Sequence, residues 1–213
     1  MTKDEKLRAR LGEITVFERP LWNSGLRFIA GADEAGRGPL AGPVVAACVI
    51  MPPLPLIEGI DDSKKLTARR REEMYSRIME TAVDTGIGVV SEEEIDRINI
   101  LEAACLAFQI ALASLHQQPD FLFTDAMPLE TDIPMQAMTK ADQRVYNVAA
   151  ASIVAKVTRD RMMDEYAGLY PEYGFERHKG YGTPEHRAAI LRCGVLPVHR
   201  RTFLRKLLGE SAV

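Results

Sequence analysis

The sequence predicts an α/β fold: a mixed central sheet flanked by helices, with a helical C-terminal extension. Three observations predict it. Apolar runs of strand length recur at 26–33, 44–51, 87–90, 120–125 and 133–138. Between them lie longer stretches with helical caps and helical period. The two kinds of segment alternate along the chain, as in a layered sandwich rather than a bundle or a barrel.

Taken in order, residues 1–25 read as a polar, irregular arm, with Trp22 just before the first strand. Strand 26–33 ends in Asp33, followed by Glu34. The run 44–51 is nearly all apolar and so is expected at the centre of the sheet, buried on both faces. Pro52, Pro53 and Pro55 stop it, and a loop runs to Lys65. Thr67 caps a helix over 67–82. Arg69, Arg70 and Arg71 on its first turn oppose the helix dipole, which points to partners outside that helix. Strand 87–90 follows, and Ser91 with Glu94 reads as a capping box for a short helix to Ile98. Asn99 caps an alanine-rich helix, 100–116. Strands 120–125 and 133–138 come next, the first again ending in an acid. Asp142 opens a long helix, 143–166, whose small residues at 149–151 let it lie close to the sheet. Pro184–Cys193 forms a short helix ended by Gly194, and 202–208 closes the chain.

At 213 residues the chain fits a single domain, 1–213, with 1–25 as its N-terminal arm and about 168–213 as its C-terminal extension. Apolar content of 46% and charged content of 27% belong to a soluble globular protein. A net charge of −3 does not by itself announce a nucleic-acid binder, but the distribution is more telling: 195–208 holds His199, Arg200, Arg201, Arg205 and Lys206 and no acid, which is compatible with nucleic acid. Cys48, Cys105 and Cys193 are widely spaced with no CxxC, which argues against a disulfide framework or a structural zinc site. The charged N-terminus has no apolar signal region and no run reaches membrane-spanning length, so a cytoplasmic protein without a membrane partner is expected.

The acids at element boundaries carry the chemistry. Asp33 and Glu34 end one strand, Asp125 ends another, and Asp142 precedes a helix. Ligands collect at strand ends in open α/β sheets. Neighbouring strand residues point to opposite faces, so Asp33 and Glu34 share a site only if the backbone turns out of the strand there. Converging carboxylates repel unless cations lie between them. Two Mg2+ or Mn2+ ions roughly 4 Å apart, clamped by carboxylates and a substrate phosphate, answer that repulsion. Taken singly, each acid is also explained as a cap or a solvated strand end. Gly36-Arg37-Gly38 lets the chain approach a ligand backbone or makes an ordinary turn. Asp62-Ser63-Lys64-Lys65 offers a hydroxyl and two ammoniums to a phosphate, or is a solvated helix entry. Tyr181, between Gly180 and Gly182, can stack on a sugar or base, or is surface filler. His199-Arg200-Arg201 is a phosphate patch or a solvated helix start.

In combination these segments are specific. The runs 31–43, 62–66, 94–101, 125–126, 149–160 and 178–183, with His199-Arg200, closely resemble ribonuclease HII, the type 2 ribonuclease H family, in order over about residues 26–204. The resemblance implies a ribonuclease H-like fold and hydrolysis of the RNA strand of RNA–DNA hybrids. It also implies incision 5′ of single ribonucleotides in duplex DNA, leaving 3′-hydroxyl and 5′-phosphate ends. The family's four carboxylates, which hold Mn2+ or Mg2+, fall on Asp33, Glu34, Asp125 and Asp142. Its glycine loop falls on Gly36, Arg37 and Gly38, and the tyrosine that reads the 2′-hydroxyl on Tyr181. Ser63 and Lys64 resemble its phosphate contacts. One departure stands out: the fourth acid usually follows Lys-Gly, and here it follows Lys140-Ala141. A DNA-strand nuclease of the same fold, a non-catalytic hybrid-binding module and a small-molecule phosphatase are the competing readings. The expected protein is a monomer acting on RNA–DNA hybrid and ribonucleotide-containing duplex DNA.

Overall fold

The computed structural model describes residues 2–127 and 129–209. It opens with two helices, α1 (Lys3–Ile14) and α2 (Glu18–Asn23), where the sequence led us to expect an irregular arm. The reason is local. The Thr2 side chain accepts the Glu5 N–H while the Glu5 carboxylate accepts the Thr2 N–H, a complete capping box. Then follow β1 (Ile29–Ala35), β2 (Val44–Ile50), α3 (Ala68–Thr81), β3 (Asp84–Val90), α4 (Glu92–Ile98) and α5 (Ile100–Ala113). β4 (Phe121–Asp125), β5 (Met135–Met138), α6 (Tyr146–Leu169), α7 (Phe175–His178), α8 (Pro184–Cys193) and α9 (Arg201–Leu208) complete the order.

Among the described residues the strands form one five-stranded sheet in the order β3-β2-β1-β4-β5. β1 pairs antiparallel with β2, and β2 with β3; β4 runs parallel to β1, and β5 parallel to β4. The mixed sheet with helices on both faces matches the expected architecture, and the all-apolar β2 lies inside it, every residue buried. Its side chains alternate. Val44, Ala46, Cys48 and Ile50 pack towards α5, while Ala47 and Val49 pack towards α6 and α3. Helix α6 lies close to the sheet, as its small residues predict. A Cβ on Gly31 would meet the Asn147 backbone at 2.1 Å.

Three boundaries differ from expectation in ways that bear on the site. β1 does not stop at Asp33; its ladder with β2 continues through Glu34↔Ala46 to Ala35↔Val45. Asp142 does not open α6; it lies in a separate 3-10 turn, Ala141–Gln143, and the helix begins at Tyr146. The Ser91 box is half formed: Ser91 accepts the Glu94 N–H, while the Glu94 carboxylate turns to Arg97. Two of the first-turn arginines of α3 find partners inside the protein. Arg70 bonds Glu73, and Arg71 donates to the Ser63 and Leu66 carbonyls. A second small core of Met163, Tyr173, Phe175, Ile190 and Leu204 forms in the C-terminal part and packs on Ala41. The C-terminal helices thus brace the loop that follows β1.

Candidate active site

Parallel neighbours β1 and β4 end side by side, and both ends carry acid. Their last paired residues are Ala32 and Thr124, so Asp33 and Asp125 come next in register. Because β1 continues as a strand, alternation holds: Asp33 lies on the α6 face with Gly31, and Glu34 on the α5 face with Ala30 and Ala32. The backbone turn that sequence reasoning required is absent; the two acids leave the strand on opposite faces, and both line one cleft at its end. Both still feel the charge of Asp125.

Asp33 is 5% exposed. Its carboxylate accepts the Glu34 N–H at 2.8 Å, and the nearby Ser152, whose Oγ lies 2.7 Å from Ser63 Oγ, favours its charged form. Burial, and next the charge of Glu34, hold the Asp33 carboxyl well above the ordinary carboxylate range. Burial raises Glu34 as well, against the opposing pull of Arg37, whose Nη1 donates to Oε1 at 3.2 Å. The other oxygen, Oε2, is buried with no hydrogen-bond partner. Asp125 accepts the Ala141 N–H at 3.0 Å. Asp142 is buried, and burial followed by the charge of Asp62 raises its carboxyl, although Lys64 Nζ stands 3.3 Å away. The Ala141 departure is harmless in this turn. The left-handed residue is Lys140, at φ 58°, so Ala141 carries no strain that a glycine would relieve.

This donor set suits a hard divalent cation. It consists of carboxylate oxygens, short of positive charge, one of them orphaned in the interior. Among the described residues no three acidic, histidine or cysteine side chains already surround one point, so the fit lies in donor chemistry and not in a finished cage. A cleft of about 220 Å³ opens beside it, lined by Asp33, Glu34, residues 35–38, Ser63, Lys64, Ser152, Lys156 and Tyr181. A larger cleft of about 570 Å³ lies between α1 and α3, where Arg10 pairs with Asp61 and Arg70 with Glu73.

The two glycines of the loop differ. Gly36 has φ +99°, and a Cβ there would lie 2.1 Å from Arg159 Nε, so the fold itself requires glycine. At Gly38 a Cβ would meet only Tyr181 Cε1, at an ordinary 3.7 Å. Tyr181 is 45% exposed with its ring beside Gly38. Behind the loop lie two buried arginines. Arg159 donates to the carbonyls of Ala41, Pro43 and Lys179, and Arg200 to those of Gly36, Arg37 and Gly42. They hold the loop's carbonyls inward. The two readings offered for His199-Arg200-Arg201 are therefore corrected for its first two members, which are 2% and 0% exposed and engaged inside; only Arg201 is exposed.

Ser63 and Lys64 both line the cleft, but with different roles. The Ser63 hydroxyl is turned inward to Ser152, and the largely exposed Lys64 leans on Asp142. Sequence reasoning missed Ser152, Arg159 and Lys156, which sit on the helix read as purely structural, and Asp62, which crowds Asp142. The α6 residues recur every three to four positions along one helix face, a signal present in the sequence but masked by the alanines around it.

With this geometry in hand, the comparisons with known proteins are specific. The family model described as Ribonuclease HII matches residues 30–206. A Ribonuclease HII of Geobacillus thermodenitrificans is 51% identical over 212 residues, covering 99% of this chain and 82% of the relative. Among solved structures, the ribonuclease H2 from Pyrococcus horikoshii superposes with TM-score 0.71 at 30% identity, covering 84% of this chain and 96% of that one. A structure of the PCNA:RNase HII complex from Archaeoglobus fulgidus gives TM-score 0.67 at 28% identity, covering 81% and 93%.

Proposed function

The chain belongs to the ribonuclease HII family, and from that premise we propose that it incises duplex DNA 5′ of a single embedded ribonucleotide as well as cutting the RNA strand of RNA–DNA hybrids. As a member of the family it is a metal-dependent nuclease that hydrolyses phosphodiester bonds, with ribonuclease H activity on RNA–DNA hybrids. The finer reading assigns roles to its own side chains. Asp33, Glu34, Asp125 and Asp142 are the residues that would hold the cations. Bound there as a pair, Mn2+ or Mg2+ would activate the attacking water and neutralise charge on the departing 3′-oxygen, giving 3′-hydroxyl and 5′-phosphate ends.

Substrate choice falls to the loop and the tyrosine. The 2′-hydroxyl is the group that distinguishes RNA from DNA at one nucleotide. Gly38, which the fold does not require to be glycine, leaves room for a sugar to approach the backbone. Gly36 and Arg37 belong to the same loop, and its carbonyls are withdrawn onto Arg200. Tyr181 closes the other side. Lys64 and Ser63 flank the path of the phosphates. The segment from about 168 to 213 acts in this reading as the substrate-binding extension of a single catalytic domain. The working species is a cytoplasmic monomer. No described helix is long and apolar enough to cross a membrane.

The observation that carries the reading is the juxtaposition in one cleft of buried, under-neutralised carboxylates with Gly38 and Tyr181. The test compares a duplex holding one ribonucleotide with the same all-DNA duplex, in Mg2+ or Mn2+, and maps the product ends. Cleavage of the first alone, 5′ of the ribonucleotide, is expected. Equal cleavage of both, or cleavage elsewhere, overturns the reading in favour of a DNA-strand nuclease.

A further inference from the structure

We propose that His186 is a positioning residue for Tyr181, holding its peptide through a chain of hydrogen bonds with one fixed direction. The proposal rests on the reading of Tyr181 as the residue that recognises the 2′-hydroxyl.

Three histidines from successive C-terminal segments stack in the C-terminal core. The His178 and His186 rings lie 4.4 Å apart at 14°, and those of His186 and His199 lie 5.2 Å apart at 29°. Tyr173 and Phe175 wall them in, and all three are buried. The protons can be placed from the partners. The Leu196 N–H can only donate, and it donates to His199 Nδ1 at 2.9 Å. A neutral His199 therefore carries its proton on Nε2, which faces His186 Nε2 at 3.1 Å. That nitrogen must accept, so the His186 proton sits on Nδ1, which faces the Tyr181 carbonyl at 2.9 Å. Protonating His186 would set two N–H groups against each other across 3.1 Å, and protonating His199 would set its Nδ1–H against the Leu196 N–H across 2.9 Å.

The chain ends on the residue that matters. The Tyr181 carbonyl also accepts the Thr183 N–H at 2.8 Å, and the Tyr181 N–H donates to the His178 carbonyl at 2.9 Å. Its peptide is pinned on both sides while its ring stays 45% exposed next to Gly38. A merely space-filling imidazole would not need its proton on one particular nitrogen. A positioning imidazole does.

Side-chain amides separate the two roles. Asparagine places its amide nitrogen near where histidine has Nδ1, and glutamine near where it has Nε2. His186→Asn keeps the donor to Tyr181, whereas His186→Gln keeps a partner for His199 and loses that donor. We would measure kcat and KM for both on the singly ribo-substituted duplex, with Tyr181→Ala alongside. His186→Gln should lose roughly tenfold in kcat on that substrate, the scale of one directed hydrogen bond, and His186→Asn no more than about twofold. Equal losses in the two variants overturn the proposal while leaving the Tyr181 reading intact. An unchanged Tyr181→Ala overturns that reading and the proposal with it. Where the variants fail to fold, 15N NMR of the wild-type imidazoles decides. A proton on Nδ1 of His186 and on Nε2 of His199 supports the chain, and the reverse placement breaks it.

Discussion

Glu18 sits on α2, in the part of the chain expected to be an irregular arm, yet it is fully buried. Its Oε1 accepts the Asn147 N–H at 3.0 Å and lies 3.4 Å from Asn147 Nδ2, while Oε2 is buried without a partner. It thereby fixes the first turn of α6, just beyond the turn that carries Asp142. Burial pushes its carboxyl up from 4.5 to about 7. A carboxyl with a higher pKa folded than unfolded holds its proton more tightly in the native state. Its contribution to stability is fully present below about 4.5 and is lost as pH rises through about 7. At 1.36 kcal/mol per pH unit, that interval is worth ~3 kcal/mol. Glu18→Gln stays neutral throughout and keeps an oxygen for the Asn147 N–H. Urea unfolding of both proteins between pH about 4.5 and about 8.5 gives the difference in stability, in which every other titration cancels. That difference, variant minus wild type, should rise by ~3 kcal/mol from the acid to the alkaline end. A flat difference would refute the reasoning, because it would mean that Glu18 does not change charge in this range.

The glycine loop gives a matched pair. Gly36→Ala drives a Cβ to 2.1 Å from Arg159 Nε at φ +99° and should cost ~3 kcal/mol in denaturant unfolding. Gly38→Ala meets only an ordinary 3.7 Å contact, so its stability should stay within ~1 kcal/mol of wild type while cleavage of the ribo-substituted duplex falls. For the buried imidazoles the sign is opposite to that of Glu18. Burial holds His186 and His199 down to about 4 from 6.5, so their contribution is present above about 6.5 and lost as pH falls through about 4. In thermal melts followed by circular dichroism, His199→Gln should lose less stability than wild type over that window. A steeper loss in the variant would show that the wild-type ring is already charged.

Much of the sheet was legible because it follows local rules. The unbroken apolar run of β2 could only be a central strand, and Asn99 accepts from the Leu101 and Glu102 amides as a cap at its position should. The small face of α6 announced its close approach to β1. The α1 helix was missed although its signals are there: Thr2 and Glu5 have capping-box spacing, and Leu7, Leu11 and Ile14 recur at helical spacing within a segment otherwise dense in charge. The run of β1 through Asp33 and Glu34 was not legible. Two acids in a paired strand are tolerable only because β2 offers Ala46 and Ala47 opposite them and the ladder with β4 stops at Ala32, facts that belong to the tertiary structure. The same holds for Arg159 and Arg200. An arginine reads as solvated in sequence, and only the folded loop at 36–43, together with the Lys179 carbonyl, supplies the acceptors that allow these two to be buried. The sequence singled out the four carboxylates as candidates, but not the separation of Asp33 and Glu34 onto two faces of β1 or the 3-10 turn that holds Asp142.

The account depends most on the carboxylates at the ends of β1 and β4 acting together as a divalent-cation site. Calorimetric titration of Mn2+ into the wild-type protein and into Asp33→Asn, without nucleic acid, addresses this directly. The account predicts saturable binding to the wild type and at least roughly tenfold weaker binding to the folded variant. Equal affinity in the two proteins would contradict it.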